Sequence, residues 1–583
     1  MSDAADPRPV PAAPAPTRVK KKYVPAVTPK LKIALIAVFV LFATLLANSV
    51  YLASITLLEA VTGLTYQDYF YLLMFLLHLV LGFLLLVPFT IFAWYHLIAT
   101  RHRRNRMAVR MGYALLAVCL TLLISGILLT RIAGILELKQ PLVRQAVYWA
   151  HVITPFAAIW LYWLHRVAGP PIKWRAGLTY AAVVAGVVAV LLVVKAQNPQ
   201  EWAIAGSPKS ANYFEPSLAR TRDGKFISAS VLMDDDYCME CHQDIYDDWA
   251  HSAHRFSSFN NPAYLTSVVQ LRDELMERDG NVKASRWCAG CHDPVPFFSG
   301  QFDDPQYDVF TDKTAHAGIT CTVCHVISHV NSLEGNADYT IEAPIHYPFA
   351  TSENPILAWV NRQLVKSKPS FHKQVFLKPL HKEPDFCAAC HKVSLPGELN
   401  NYKDWLRGQN HFDSYHLSGV SGHGIRSFYY PPKAQQNCNE CHMPRRPSDD
   451  FGASMVEGEL KVHDHLFPSA NTALSAWFPD EDYDAVGRHR AFNEGVMRVD
   501  LFGVKQGEDV SAPLVAPLRP EVPTLEPGES YLFETVIRTL KMGHHFTQGT
   551  VDSNEIWLDV EVVEGAEYDD QGQRTAGRVI GRS

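Results

Sequence analysis

Apolar and polar positions divide this chain into a membrane part and a soluble part. Five long apolar runs fall at about 33–58, 69–97, 112–129, 146–165 and 177–194. Each is long enough, or nearly so, to cross a bilayer as a helix. The first run is much longer than a signal-peptide core, and four more follow it, so it reads as a span rather than a cleaved leader. Ahead of it, residues 1–30 carry excess Pro and Ala and include Lys20, Lys21 and Lys22, the pattern of a disordered basic cytoplasmic tail. After the fifth run, 198–230 reads as a polar linker with Pro and Gly. Near the end, 531–539 and 555–563 alternate as strands do, with turn signals at 564–566 and 569–572. The stretch 576–583 looks like a strand without a partner. It predicts that the natural chain continues there or that a partner completes it.

Charge orients the spans. The loop holding Arg101, Arg103, Arg104 and Arg106 is basic, as is the loop around Arg166, Lys173 and Arg175. The connection 59–68 has no Lys or Arg. The positive-inside rule therefore places the N-terminus in the cytoplasm, and five crossings place residue 200 onward outside. One loop, with Arg131, Lys139 and Arg144, is more basic than an outside loop should be. The net charge of −6 adds little, because basic residues concentrate on the cytoplasmic side and the soluble part is the more acidic. No nucleic-acid partner is expected.

The chemistry lies in Cys-x-x-Cys-His, which occurs five times. The copies are Cys238, Cys241 and His242; Cys288, Cys291 and His292; Cys321, Cys324 and His325; Cys387, Cys390 and His391; and Cys438, Cys441 and His442. With 11 Cys and 25 His in 583 residues, chance predicts about 0.01 copies. At this spacing two cysteines form thioethers to one haem, and the adjacent histidine reaches the iron. Zinc sites and disulfide frameworks do not require a histidine directly after the second cysteine. Covalent haem is attached outside the cytoplasmic membrane, which agrees independently with the topology. Cys119, the eleventh cysteine, reads as a small buried apolar residue in the third span.

Four further histidines lie within apolar runs, where an ionisable side chain signals function. His78 and His96 are eighteen residues apart, five turns and about 27 Å along one helix face. His151 and His165 are fourteen apart, on nearly one face and about 21 Å from each other. Pro88 lies between the first pair, and a kink there brings the two spacings closer. Both spans run in the same direction, so His78 pairs with His151 and His96 with His165, a ligand set for two b-type haems. This arrangement resembles the core of di-haem cytochrome b membrane subunits that exchange electrons with quinones, over spans two to five. Helix-end histidines at the headgroup level are the plainer alternative. Arg131, at the outer end of the third span, suits a haem propionate or a simple interfacial role.

The soluble part holds fifteen further histidines, more than enough for a sixth ligand at each of five irons. Bis-histidine ligation gives lower potentials than Met/His. The distal candidates are His254, His346, His372, His423 and His544. The stretch from Ile245 through Trp249 and Ser252 to His254 resembles multihaem cytochromes related to the tetrahaem carrier of nitrifiers and to hydroxylamine-oxidoreductase-like proteins. That resemblance implies His254 as a distal ligand. Gly543-His544-His545-Phe546, with Gly549 after it, is similar to the late motif of the same group and implies His544. The resemblance covers about 230–560. Five motifs and a membrane domain depart from the group, so no catalytic role carries over.

The expected architecture is a membrane protein. A disordered tail (1–30) precedes a five-helix transmembrane bundle (31–197) and a linker (198–230). A helix-and-loop multihaem domain (231–450) follows, with little strand and little ordinary apolar core, then a small β-rich region (451–583). The expected function is electron transfer between the quinone pool and an extracytoplasmic cytochrome or other redox partner, in the cytoplasmic (inner) membrane. It would use two b-type and five c-type haems, alone or within a larger respiratory complex. A second reading leaves one c haem open to a small nitrogen or sulfur compound. A third makes the spans a plain anchor.

Overall fold

A computed structural model describes residues 25–132, 137–169, 172–195, 214–400, 406–428, 433–546, 556–571 and 573–582. Most of the expected tail, and the linker up to residue 213, lie outside these residues. The chain forms two compact units. One comprises residues up to 198 together with 347–367; the other comprises 199–346 and 368–583. The short segment 347–367 lies within the stretch expected to be haem domain, yet it clusters with the apolar helices.

The first unit contains five helices long and apolar enough to cross a membrane: α1 (Pro29–Thr62), α2 (Tyr69–Thr100), α3 (Arg106–Thr130), α4 (Pro141–Val167) and α5 (Trp174–Val194). Their ends are set by local chemistry. Thr28, Asp68 and Asn105 accept hydrogen bonds from the first-turn amides of α1, α2 and α3. Pro29 and Pro141 open α1 and α4, and Gly63 closes α1 at φ 71°. Outward faces are apolar, with Val87, Trp94, Phe156, Trp160 and Val193 exposed. A water-soluble bundle would hide such residues, whereas a lipid-facing one presents them. Polar ties are few and internal: Asn48 on α1 donates to the Met74 carbonyl of α2 (3.0 Å), and Tyr180 on α5 to Phe39 of α1 (3.1 Å). The helix Pro355–Ser367 adds to this unit at the end of α3, where Ser367 Oγ donates to the Thr130 carbonyl (3.1 Å).

The second unit is built of short helices and loops with small sheets. Strands β1 (Arg220–Thr221), β2 (Ile327–Val330) and β3 (Tyr339–Ile341) form one sheet in the order β1-β3-β2. β4 (Lys392–Leu395) pairs with β5 (Leu406–Asn410). β6 (Arg445–Pro447), β7 (Ser454–Val456) and β8 (Glu459–His463) form a third sheet, with β8 central. An apolar cluster does form, against expectation, around Phe214, Phe259, Phe297, Phe298, Phe302 and Tyr339. The second, third and fourth haem motifs lend it Ala289, Val323 and Ala389.

The C-terminal region holds two antiparallel hairpins. β9 (Met497–Gln506) pairs with β10 (Tyr531–Thr539), the latter where alternation predicts it. β11 (Glu561–Tyr568) pairs with β12 (Arg574–Arg582). Two expectations are corrected here. The last strand has a partner in β11. The 564–566 turn is not a turn but a bulge inside β11, where Gly565 takes φ 63° and the register shifts between Glu564 and Glu567. The chain reverses at the later signal, where the Asp569 amide donates to the Gln573 carbonyl (2.9 Å).

Candidate functional site

Metal–imidazole bonds of about 2 Å, plus about 1.1 Å from nitrogen to ring centre, put two axial imidazoles of one iron about 6 Å apart, centre to centre. Among the described residues, six histidine pairs meet that test. In the helical unit, His78 faces His151 at 6.2 Å and His96 faces His165 at 6.3 Å, with interplanar angles of 80° in both. In the other unit, His242 faces His372 at 6.1 Å, His325 faces His465 at 6.4 Å, His391 faces His254 at 6.1 Å and His442 faces His544 at 6.3 Å.

Hydrogen bonds at the far ring nitrogen decide which atom is free. His96 Nδ1 meets the Ala26 carbonyl (3.2 Å), His165 Nδ1 that of Ala108 (2.9 Å), and His151 Nδ1 that of Leu122 (3.2 Å). A carbonyl only accepts, so each Nδ1 carries the proton and leaves the Nε2 lone pair for a metal. For His78 the partner is Ser49 Oγ (3.3 Å), whose own proton goes to the Leu45 carbonyl (2.7 Å), so His78 Nδ1 donates as well. Ser49 and Ala26 come from α1 and the residues before it, so the first span joins the site instead of standing outside spans two to five. Two glycines of α3 make room. A Cβ on Gly126 would lie 3.1 Å from His151 Cε1, and one on Gly112 would lie 3.2 Å from His165 Cε1. The glycines are fourteen residues apart, as the histidines are, on helices packed antiparallel.

Four of the five motif histidines follow the same rule. Nδ1 of His325 meets the Phe376 carbonyl (2.7 Å), that of His442 the Pro468 carbonyl (3.0 Å), and that of His292 the Ser257 carbonyl (2.9 Å). His242 Nδ1 meets Asp450 Oδ1 (2.8 Å). Among the facing rings, His465 Nδ1 meets the His463 carbonyl (2.8 Å) and His544 Nδ1 that of His545 (3.1 Å). Burial pushes His254 down to about 4 and His391 to about 3, with neighbouring histidines adding to the shift, so both rings are neutral, the form that ligates.

The spacing treats the five motifs alike, but the structure separates the first from the rest at Cys241. Cys288 and Cys291 lie on one helix, Arg286–His292; Cys321 and Cys324 on Cys321–His325; Cys387 and Cys390 on Pro384–His391. Cys438 caps, and Cys441 belongs to, the helix Asn439–His442. Cys241 instead lies in the turn between the helices Asp235–Met239 and Gln243–Ala250. The amides of Cys241 (3.2 Å) and His242 (3.0 Å) both donate to the Cys238 carbonyl, as those of Cys441 (3.2 Å) and His442 (2.9 Å) do to that of Cys438, so one helical turn is kept in each. The thiols of Cys238 and Cys241 thus remain within one turn of each other. Both are half-buried, and among the described residues no cysteine is in a disulfide.

Sequence-distant segments are pinned where the histidine pairs meet. Trp249 Nε1 donates to the Ile319 carbonyl (2.9 Å), and the Ile319 amide donates to the His254 carbonyl (2.9 Å). Gly318, at φ 66°, lies so close that a Cβ would run into the Arg255 carbonyl, which explains a glycine there. Buried Asp248 accepts from Arg446 Nε (2.9 Å), Arg488 Nη1 (2.8 Å) and Tyr483 (2.7 Å). Arg488 also pairs with Asp464, beside His465. The cysteines adjoin across motifs: Cys238 beside Cys321, Cys291 beside Cys390, and Cys387 beside Cys438. The cysteines of motifs one and three, two and four, and four and five are therefore neighbours. His411 lies 5.4 Å from His391 and 5.5 Å from His544, a shared wall between the last two motifs.

Of the five distal candidates, His254, His372 and His544 each face a motif histidine. His346 does not; it lies by Tyr237 (5.9 Å) and Asp234 (3.9 Å). His423 stacks on His416 at 4.9 Å. His465 is one spare histidine among fifteen, and no local pattern marks it. His292 differs from the other motif histidines: its ring contact is Tyr264 at 4.7 Å, and among the described residues no second imidazole faces it. No cluster of three or more His, Cys, Asp or Glu side chains among the described residues is arranged to hold a bare metal ion. Paired imidazoles beside cysteine pairs fit haem.

The family model of cytochrome c554 and c-prime matches residues 237–326, the stretch with the first three motifs. The match supports a multihaem c-type cytochrome with covalently bound c-type haem. No curated protein and no solved structure matches the chain.

Proposed function

We propose that the chain moves electrons between the quinone pool and an extracytoplasmic redox partner, across and outside the cytoplasmic membrane. His78/His151 and His96/His165 hold two b-type haems in this reading. The five Cys-x-x-Cys-His motifs hold five c-type haems, with His372, His465, His254 and His544 as sixth ligands to the irons of His242, His325, His391 and His442. Haem, when bound, supplies one-electron redox chemistry. The residues hold and tune it. Two imidazoles favour low potential, and the Nδ1 hydrogen bonds fix ring orientation and raise ligand basicity.

The observation that carries this reading is the set of six imidazole pairs at 6.1–6.4 Å, with most Nδ1 atoms turned to hydrogen-bond acceptors. The basic loops 101–106 and 166–175 support a cytoplasmic N-terminus, with the motifs outside. The di-haem cytochrome b resemblance supports quinone as the membrane substrate. The test is pyridine haemochrome analysis of the purified protein, followed by quinol addition. Two extractable haems per five covalent ones, all reducible by quinol, are expected. No extractable haem would reduce the helices to an anchor.

His292 favours a second reading. Without a facing imidazole, its iron would keep an open position for a small nitrogen or sulfur compound, making the chain a terminal oxidoreductase. A high-spin ferric signal that changes on adding nitrite or hydroxylamine supports this reading. Wholly low-spin haems exclude it.

A further inference from the structure

We propose that Asn336, Ala337 and Tyr339, at the start of β3, are positioning residues that set the gap between the haems of motifs two and four; this rests on the c-haem reading above. Gly335, Asn336 and Ala337 take three consecutive left-handed conformations, with φ of 83°, 54° and 60°. Such backbone is unfavourable for a residue with a Cβ and persists only where its surroundings hold it. The holding contacts lie on the two motifs. The Ala337 amide donates to the Ala389 carbonyl (2.8 Å), and two residues on the Tyr339 hydroxyl donates to the Gly290 carbonyl (2.7 Å). Ala389 and Gly290 occupy the same place in their motifs, immediately before the second cysteine. Each belongs to the last turn of its helix, Pro384–His391 or Arg286–His292, where carbonyls have no partner within the helix.

Asn336 makes a second tie between the same motifs. Its Oδ1 accepts from Trp287 Nε1 (3.2 Å), on the helix of motif two, and from the Ser394 amide (2.9 Å), in the strand after motif four. Its own amide donates to the Lys392 carbonyl (3.0 Å), and its Nδ2 to Ser394 Oγ (3.1 Å). Close approaches fix the fit. A Cβ on Gly335 would run into the Lys392 carbonyl, and one on Gly290 would lie 2.9 Å from Ala337 Cβ. All three positioning residues are buried, so their hydrogen bonds are shielded from competition by water. Cys291 lies beside Cys390, and both are near the Tyr339 ring. The two motifs therefore meet where this segment ties them. A filler of the core would need only bulk at this point. The segment instead offers donors to equivalent carbonyls of two motifs, and so governs how the His292 and His391 irons exchange electrons.

The test uses the purified full chain with its haems. Tyr339→Phe removes one tie and keeps the ring, and Asn336→Ala removes the other. Ala337→Gly keeps the amide and suits a left-handed φ. Each is compared with the parent by haemochrome content and by ferric electron paramagnetic resonance, the two relevant signals being assigned by their loss in His292→Ala and His391→Ala. Tyr339→Phe and Asn336→Ala should keep five covalent haems and weaken the magnetic broadening between the His292 and His391 haems, with the other three covalent haems unmoved. Ala337→Gly should match the parent. Unchanged broadening in Tyr339→Phe with all haems present overturns the proposal. An equal change in all five signals, the mark of a merely structural role, overturns it too, as does Ala337→Gly behaving like Tyr339→Phe. If Asn336→Ala fails to fold, Tyr339→Phe decides alone. A parent whose motif two or four carries no haem by peptide mass defeats the c-haem reading itself.

Discussion

The two units bring imidazoles to nearly the same separation by different means. Among the apolar helices, both members of each pair sit on regular elements, and their Nδ1 partners are carbonyls or hydroxyls on or beside neighbouring helices. In the other unit, a covalent motif supplies one member and a distant loop or short helix supplies the other. Both helical pairs are near-perpendicular at 80°. Three of the four pairs in the other unit lie between 12° and 30°, and only His254/His391 is near-perpendicular at 88°. Regular helices fix ligand geometry through periodicity, whereas loops fix it through tertiary hydrogen bonds.

The contrast is broken most directly at a ligand. His151→Ala should remove one extractable haem and leave five covalent haems; haemochrome analysis with an unchanged ratio would refute the helical pairing. In the other unit, His372→Ala should convert one low-spin signal to high-spin in electron paramagnetic resonance, while His346→Ala should not. Equal effects would mean that ring spacing does not identify the sixth ligand.

Buried charge provides the next test. Asp248 holds the segment before His465 through Arg446, Arg488 and Tyr483. Asp248→Asn should cost about 3 kcal/mol against denaturant, read from Soret absorbance and tryptophan fluorescence. Burial alone would raise its pKa, but the Arg488 and Tyr483 hydrogen bonds and the Arg488 and Arg446 charges hold it below the usual carboxylate value. A depressed carboxylate stabilises above its unfolded pKa, and that stability disappears as pH falls through the folded one. The parent should therefore lose its advantage over Asp248→Asn below about pH 4. A constant difference down to pH 2 would count against the ion network.

The smallest effect belongs to the glycines. Gly126→Ala places a Cβ 3.1 Å from the His151 ring and should shift the potential or spectrum of one extractable haem. Gly82→Ala, with nothing within 4 Å, should shift neither. Matching behaviour of the two variants would remove any special role for Gly126.

Legibility follows regularity. The five spans and β10 can be read from periodicity, and so can the partner histidines at 78/151 and 96/165, because a helix converts sequence spacing into height. Five motif histidines are legible because Cys-x-x-Cys-His is a strictly local pattern. That spacing does not say that Cys241 sits in a turn while Cys291, Cys324, Cys390 and Cys441 sit on helices, since a single turn of either kind satisfies it. His254 and His544 are legible only through resemblance. The β11 bulge and the β11–β12 pairing escape the sequence because glycine-turn signals do not distinguish a bulge from a reversal.

The sequence by itself determined the number of Cys-x-x-Cys-His motifs, the long apolar helices and the heights of the histidines on them, since each depends on short-range spacing. Only the tertiary structure decided that His465 faces His325, that His292 faces no imidazole among the described residues, and that Pro355–Ser367 joins the apolar helices. Those facts depend on which distant segments share a core, a carbonyl or a buried charge, and no local spacing encodes that choice.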